Sequence, residues 1–370
     1  MSGDTQDLEL PTYESIGVRP LINCKGTYTI ISGSLMLPQA RAAMYEASRR
    51  YVHLDELSEA VGRRIAEVMQ CEWGLIVNGC AAALAQLTAA CVAGTDPEKI
   101  ARLPDTAGMR NEVLVQPSHR HMYDHAVRMV GARLIEVRTA AELEAAINDR
   151  TAMCLVFGDA GDRGEILVAD MARIGHARGV PTIVDAAAER PDVPNRYLAD
   201  GVDAACYSGG KCLRGPQAAG LILGQKELLQ AAFLNGAPHH ALGRPMKAGK
   251  EEVMGMLAAV EQWVKRDHEA EWKEWERRLK VIEDSVSGID TVRCRIQQPG
   301  RSNVAPVMLI SWGRQALGIT PEQAARTLSD GDPRIEMFTH AGGVSVMPYM
   351  MEPGDDEVVA KRLAEVLGSE

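Results

Sequence analysis

The residues Tyr207-Ser208-Gly209-Gly210-Lys211-Cys212-Leu213-Arg214-Gly215-Pro216-Gln217 set a lysine among glycines, three positions after a serine. Lysine forms Schiff bases with aldehydes once it sheds its proton. Glycines admit a flat ligand close to the backbone. Alone, the stretch reads equally well as a surface lysine in a turn. A pyridoxal-type cofactor needs more than a lysine. It needs an acid beside its pyridine nitrogen, donors for its phosphate and a flat group over its ring. Asp185 closes an apolar run and fits the first need, because an opposite charge keeps a ring nitrogen protonated. It also reads as a helix cap. Gly79, Cys80 and Ala81 carry small side chains where a helix begins, and Ser208 adds a hydroxyl, so these four suit a phosphate. His119 offers a ring to stack, with His121 as the alternative.

The elements that must position these residues follow from periodicity. Residues 202–206 and 218–223 are apolar and flank the lysine loop, which predicts two short buried strands around it. Residues 55–70 carry Leu57, Val61, Ile65 and Val68 at helical spacing, with Asp55 able to cap. Residues 74–77 form a short strand that runs through Asn78-Gly79 into an alanine-rich helix. The first turn of that helix has free N–H groups and a positive dipole end. Further strands are predicted at 113–115, 134–137, 153–157, 182–184, 204–207 and 219–223, with helices at 122–130, 140–147 and 168–178 between them. This alternation predicts βα units and a mostly parallel sheet. Ligands then gather at the carboxyl ends of the strands, where His119, Asp185, Ser208 and Lys211 fall. No G-x-G-x-x-G follows a strand, so dinucleotide binding is not indicated. After about residue 245 the texture changes to helices at 247–267 and 269–285, then short strands and helices of a smaller α+β domain. The expected division is an arm at 1–50, a large cofactor-binding domain at 51–245 and a small domain at 246–370. Within the arm, residues 13–36 are rich in hydroxyls near glycines. They read either as a packing segment or as an arm that reaches the site, with Thr29 and Ser34 as substrate contacts.

The chain has 370 residues, 46% of them hydrophobic, enough for a sizeable core. The net charge of −10 argues against a nucleic-acid binder. No apolar run approaches the roughly 20 residues that span a membrane, and the polar, acidic start MSGDTQDLEL does not read as a signal peptide. The eight cysteines are scattered, without C-x-x-C or a metal-ligand spacing, so the expectation is a reduced cytoplasmic protein with no metal.

The stretches GVRPLINCKGTYTIISGSLM, GLIVNGCAAAL, SHRHMYDHAVRMVGARLIEV, VDAAAERPDVPN, YSGGKCLRGPQAAGLILG and GRPMKAGKEEVMGMLAAVEQW resemble the selenocysteine-synthase-like group of fold-type I pyridoxal-phosphate enzymes, on its ammonia-lyase branch. The resemblance covers most of residues 13 to 265. It implies a seven-stranded, mostly parallel α/β sheet and pyridoxal 5'-phosphate on Lys211, with Asp185 at the pyridine nitrogen and Ser208 on the phosphate. It also implies a homodimer or larger assembly with sites at subunit interfaces. Arg244 and Lys247, with Arg120, are the further candidates for anionic substrate groups. Glu189 stands where the group more often has glutamine. The group's tRNA-binding members carry an N-terminal region and basic surfaces that this acidic chain lacks, so no nucleic-acid partner is expected.

The leading expectation is α,β-elimination from a small amino acid or amino sugar acid, releasing ammonia and a 2-oxo acid, with Lys211 as the Cα base. Racemase, aldolase or transferase chemistry on the same cofactor is the alternative. A catalytically silent binding protein on this fold is a third reading, against which the Lys211, Asp185 and Ser208 set speaks.

Overall fold

The computed structural model describes residues 10–302 and 304–368. They form two compact units, one made of residues 32–266 with 300–304 and the other of the remaining described chain.

The larger unit holds a seven-stranded sheet: β1 (Trp73–Val77), β2 (Glu112–Val115), β3 (Arg133–Glu136), β4 (Thr151–Phe157), β5 (Thr182–Asp185), β6 (Ala204–Ser208) and β7 (Gly220–Gly224). Their order across the sheet is β1-β7-β6-β5-β4-β2-β3. β7 runs antiparallel to both β1 and β6, and every other pairing is parallel. The strands read as unbroken apolar runs because the sheet is covered on both faces. β3 carries an exposed charge at each end, and it is an edge strand, where Arg133 and Glu136 discourage further pairing.

Helices α1 (Pro38–Ser48), α2 (Leu54–Met69), α3 (Gly79–Ala93), α4 (Arg196–Ala199) and α5 (Lys250–Trp263) belong to this unit. α2 turns Val61, Ile65 and Met69 inward. Its Gly62 lies under the Trp73 ring, where a Cβ would come within 2.4 Å. α3 is buried on nearly every side, which is how a helix apolar all round comes to rest. The helix expected at 122–130 shortens to Asp124–Arg128. His121 Nδ1 accepts the Tyr123 N–H at 3.1 Å and holds the preceding residues in a turn. The unit continues to Arg266, past the break expected at 245, because α5 packs along α1 and α2. For the same reason residues 32–50 join it instead of standing apart as an arm.

The smaller unit carries an antiparallel sheet of β8 (Arg293–Gln297), β9 (Val307–Ser311), β10 (Phe338–His340) and β11 (Gly343–Val346), ordered β10-β11-β9-β8. Helices α6 (His268–Val286), α7 (Pro321–Asp330) and α8 (Asp355–Gly368) accompany it. Leu279, Ile282, Met308, Ile310, Val344 and Leu363 form part of its core. A Thr320–Gln323 capping box opens α7. Ile22 and Asn23 pair in parallel with Ile335 and Glu336, which ties the N-terminal segment to this unit.

Candidate active site

Asp185 is the last residue of β5. It stands in register with Phe157 on β4 and Cys206 on β6. Its side chain is buried, and Oδ1 accepts the Ala187 N–H at 3.1 Å and the Cys206 thiol at 3.8 Å. Burial pushes its pKa up. Against that work the His121 ring, the Ala187 N–H, the Lys211 charge and the Cys206 thiol. Lys211 and His121 therefore both lie within electrostatic reach of the carboxylate. A buried acid whose ionisation an opposite charge would favour is suited to a protonated pyridine nitrogen.

The lysine loop closes tightly after β6. The Ser208 N–H donates to Ala187 O at 3.1 Å, the Gly209 N–H to Ala219 O at 2.8 Å and the Gly215 N–H to Gly209 O at 2.8 Å. At Gly210 a Cβ would stand 2.8 Å from Gln217 Cα, a backbone atom that cannot move aside cheaply. Lys211 is half-buried. No hydrogen bond or ion pair engages its ammonium among the described residues. Ser34 joins the loop, donating its N–H to Gly210 O at 3.1 Å, while its buried Oγ has no partner. An unpaired buried hydroxyl costs about 1–3 kcal/mol, so its presence beside the lysine suits a ligand contact.

The turn from β1 into α3 is the candidate anion site. Gly79 has φ +74° with open space around its Cβ position, so conformation, not room, demands glycine. Asn78 gives α3 no side-chain cap. It donates instead to Lys247 O at 3.0 Å. The first N–H groups of α3 are thus left for an anion. Ala81 is exposed, and Cys80 is buried. The Cys80 side chain turns inward, so only its backbone is available to a phosphate. Its sulfur lies with Asp185 and Cys206, the three donor atoms all within 4.8 Å of one another. The Cys206 pKa is pushed up first by the Cys80 thiol and then by burial.

The two histidines differ in their surroundings. His119 is fully buried, its Nε2 is 3.0 Å from Arg163 O and its Nδ1 accepts the Phe157 N–H at 3.3 Å. Both nitrogens are occupied by backbone, and burial lowers the pKa. His121 instead lies 4.1 Å from the Phe157 ring, at an interplanar angle of 33°. Its buried Nε2 has no partner. Arg120 is committed to Asp124 (2.5 Å) and Glu136 (2.7 Å). Arg244 and Lys247 are exposed, and the Asn78 contact draws the Lys247 backbone to the β1–α3 turn. Thr29 lies in the smaller unit.

Phe157 and a buried polar group were not legible in the sequence. Glu189 accepts the Tyr197 hydroxyl through both oxygens, at 2.9 and 2.7 Å. Arg301 stands 3.4 Å from that hydroxyl. Burial raises the Glu189 pKa to about 7, partly offset by Tyr197 and the arginines. The departure from glutamine at this position was the available signal.

Residues 47–299 match the family described as SelA: L-seryl-tRNA selenium transferase. The chain belongs to this family. It is 30% identical to a 5'-C-glycyluridine monooxygenase-decarboxylase of Streptomyces sp, covering 96% of this chain and 92% of the relative. It is 28% identical to D-glucosaminate-6-phosphate ammonia lyase of Salmonella typhimurium, covering 96% and 97%. The solved structure of D-glucosaminate-6-phosphate ammonia-lyase matches with a TM-score of 0.85 at 27% identity, over 97% of this chain and 98% of that one. The architecture is that of fold-type I pyridoxal-phosphate enzymes, and the SelA family membership makes pyridoxal 5'-phosphate the cofactor. Among the described residues no helix is long and apolar enough to cross a membrane.

Proposed function

We propose that this SelA-family chain is a lyase that removes ammonia from a small amino acid or amino sugar acid by α,β-elimination, leaving a 2-oxo acid. The observation that carries the reading is Asp185, buried at a strand end with Lys211 and His121 within electrostatic reach of its carboxylate. The near full-length likeness to an ammonia lyase supports the reaction class.

Bound pyridoxal phosphate supplies the electron sink for negative charge at the substrate's α-carbon. Each of the chain's own residues has a task around it. Asp185 holds the proton on the ring nitrogen. His121, not His119, stacks on the ring. The backbone N–H groups of Gly79, Cys80 and Ala81, with the Ser208 hydroxyl, hold the phosphate. Lys211 anchors the cofactor and then takes the α-proton. Ser34 contacts the substrate beside the loop, and Arg244 and Lys247 meet an anionic end of it. The working form is a homodimer or larger assembly. All eight cysteines are free, which agrees with a cytoplasmic enzyme.

The test incubates the purified protein with a panel of D- and L-hydroxy amino acids and aldonate amines. Ammonia and 2-oxo acid should form in equal amounts without an amine acceptor. Racemised substrate with no ammonia would overturn the reading. Dioxygen uptake with carbon dioxide release would instead align the chain with its Streptomyces relative.

A further inference from the structure

Cys80, Asp185 and Cys206 are widely separated in the sequence, and no spacing marks them as ligands. The fold brings their donor atoms within 4.8 Å of one another. All three side chains are buried, at 9%, 2% and 0% exposure. Each comes from a different element: Cys80 from the first turn of α3, Asp185 from the end of β5 and Cys206 from β6 beside it. Two soft sulfurs with one carboxylate oxygen make a donor set for zinc or a similar thiophilic ion, not for calcium or magnesium. In a tetrahedral zinc site the donors stand about 3.5–3.8 Å apart. The Cys206 sulfur is already 3.8 Å from Asp185 Oδ1. The set needs to contract by about an ångström at most, within the reach of small side-chain rotations.

We propose that, without pyridoxal phosphate, Cys80, Asp185 and Cys206 bind one thiophilic cation, and that this cation and the cofactor exclude each other because both require Asp185. The second half rests on the functional reading above, whereas the first does not. Binding forms two metal–sulfur bonds and one metal–oxygen bond, and the two thiol protons pass to solvent. No electrons are transferred. A fourth position is left for water, as in zinc sites with three protein ligands.

The experiment strips the full-length protein of cofactor with hydroxylamine, equilibrates it with zinc and measures bound metal by elemental analysis. About one zinc per chain is expected, the complement of a single site. Cys80→Ala and Cys206→Ala should each weaken binding at least about ten-fold, the loss that even outer partners of a metal site cause. Cys91→Ala and Cys154→Ala remove thiols outside the cluster and should keep the metal. Circular dichroism identifies any variant that fails to fold, and the other cysteine variant then decides. A stripped wild type that binds no zinc, or two cysteine variants that retain it, overturns the site. Pyridoxal phosphate is next added to zinc-loaded protein and its visible absorbance followed. Uptake should wait for a chelator. Uptake at the zinc-free rate with zinc still bound overturns the exclusion. Failure of the zinc-free protein to take up the cofactor would sink the functional reading while leaving the metal result standing.

Discussion

Lys211 is the residue on which the proposed chemistry turns. Lys211→Ala should lower ammonia release by about 10³-fold or more, and borohydride should no longer fix pyridoxal phosphate to the chain. Turnover near that of the wild type would remove the lysine from its role. The histidines separate by readout. His121→Ala should weaken cofactor binding about ten-fold, as loss of a stacking ring does, with little change in melting temperature. His119→Ala should cost about 2 kcal/mol of stability by leaving buried backbone groups unpaired. The reverse pattern would restore His119 to the ring. Glu189 gives a pH prediction. Its folded pKa is raised to about 7 by burial, so the folded state binds the proton more tightly than the unfolded chain. Stability is then lost as pH rises from about 4.5 through 7. Glu189→Gln should therefore stabilise by about 1–2 kcal/mol at pH 8 and by little at pH 5. Equal effects at both pH values would show that its carboxyl does not titrate there.

At the scale of elements, the proposed site draws on three junctions: β1 into α3, the end of β5, and β6 into the lysine loop. α3 can leave its first N–H groups uncapped because its sides are buried all round, so packing, not a cap, fixes the helix. The lysine loop depends on close backbone approach. Gly210→Ala would force a Cβ to 2.8 Å from Gln217 Cα, at a cost of about 1–3 kcal/mol, and should lower cofactor affinity by displacing Lys211. Gly288→Ala, in the smaller unit, meets nothing within 4 Å and should stay within about 0.5 kcal/mol of the wild type. Thermal melts of both variants with and without pyridoxal phosphate check the contrast.

The whole molecule is read through its surface. A cavity of about 1100 Å³ is lined by Asn78, Ala81, Met122, Tyr123, Met129 and Pro245. Met122, Tyr123 and Met129 are large apolar side chains left exposed beside the β1–α3 turn. Clustered exposed apolar side chains mark interaction surfaces. The wild type should run as a dimer or larger in light scattering, and Tyr123→Asp should shift it toward the monomer with loss of activity. A monomeric, fully active wild type would refute the assembly.

Much was settled by local pattern. Apolar runs of three to five residues interrupted by helical periods specified the strands of the large sheet, because burial on both faces leaves no room for polar alternation. The glycine-flanked lysine and the acid at the end of a strand made Lys211 and Asp185 the sequence's candidates, because a Schiff base needs an amine and a protonated ring nitrogen an opposite charge. Which side chains face each other was beyond local pattern, since strand order and register join residues far apart in the chain. Tertiary packing spent both His119 nitrogens on backbone and turned His121 to Phe157. It carried the larger unit on to Arg266 by laying α5 along α1 and α2. It also gathered two scattered thiols around Asp185, a meeting that only the start of α3 and the pairing of β5 with β6 could arrange.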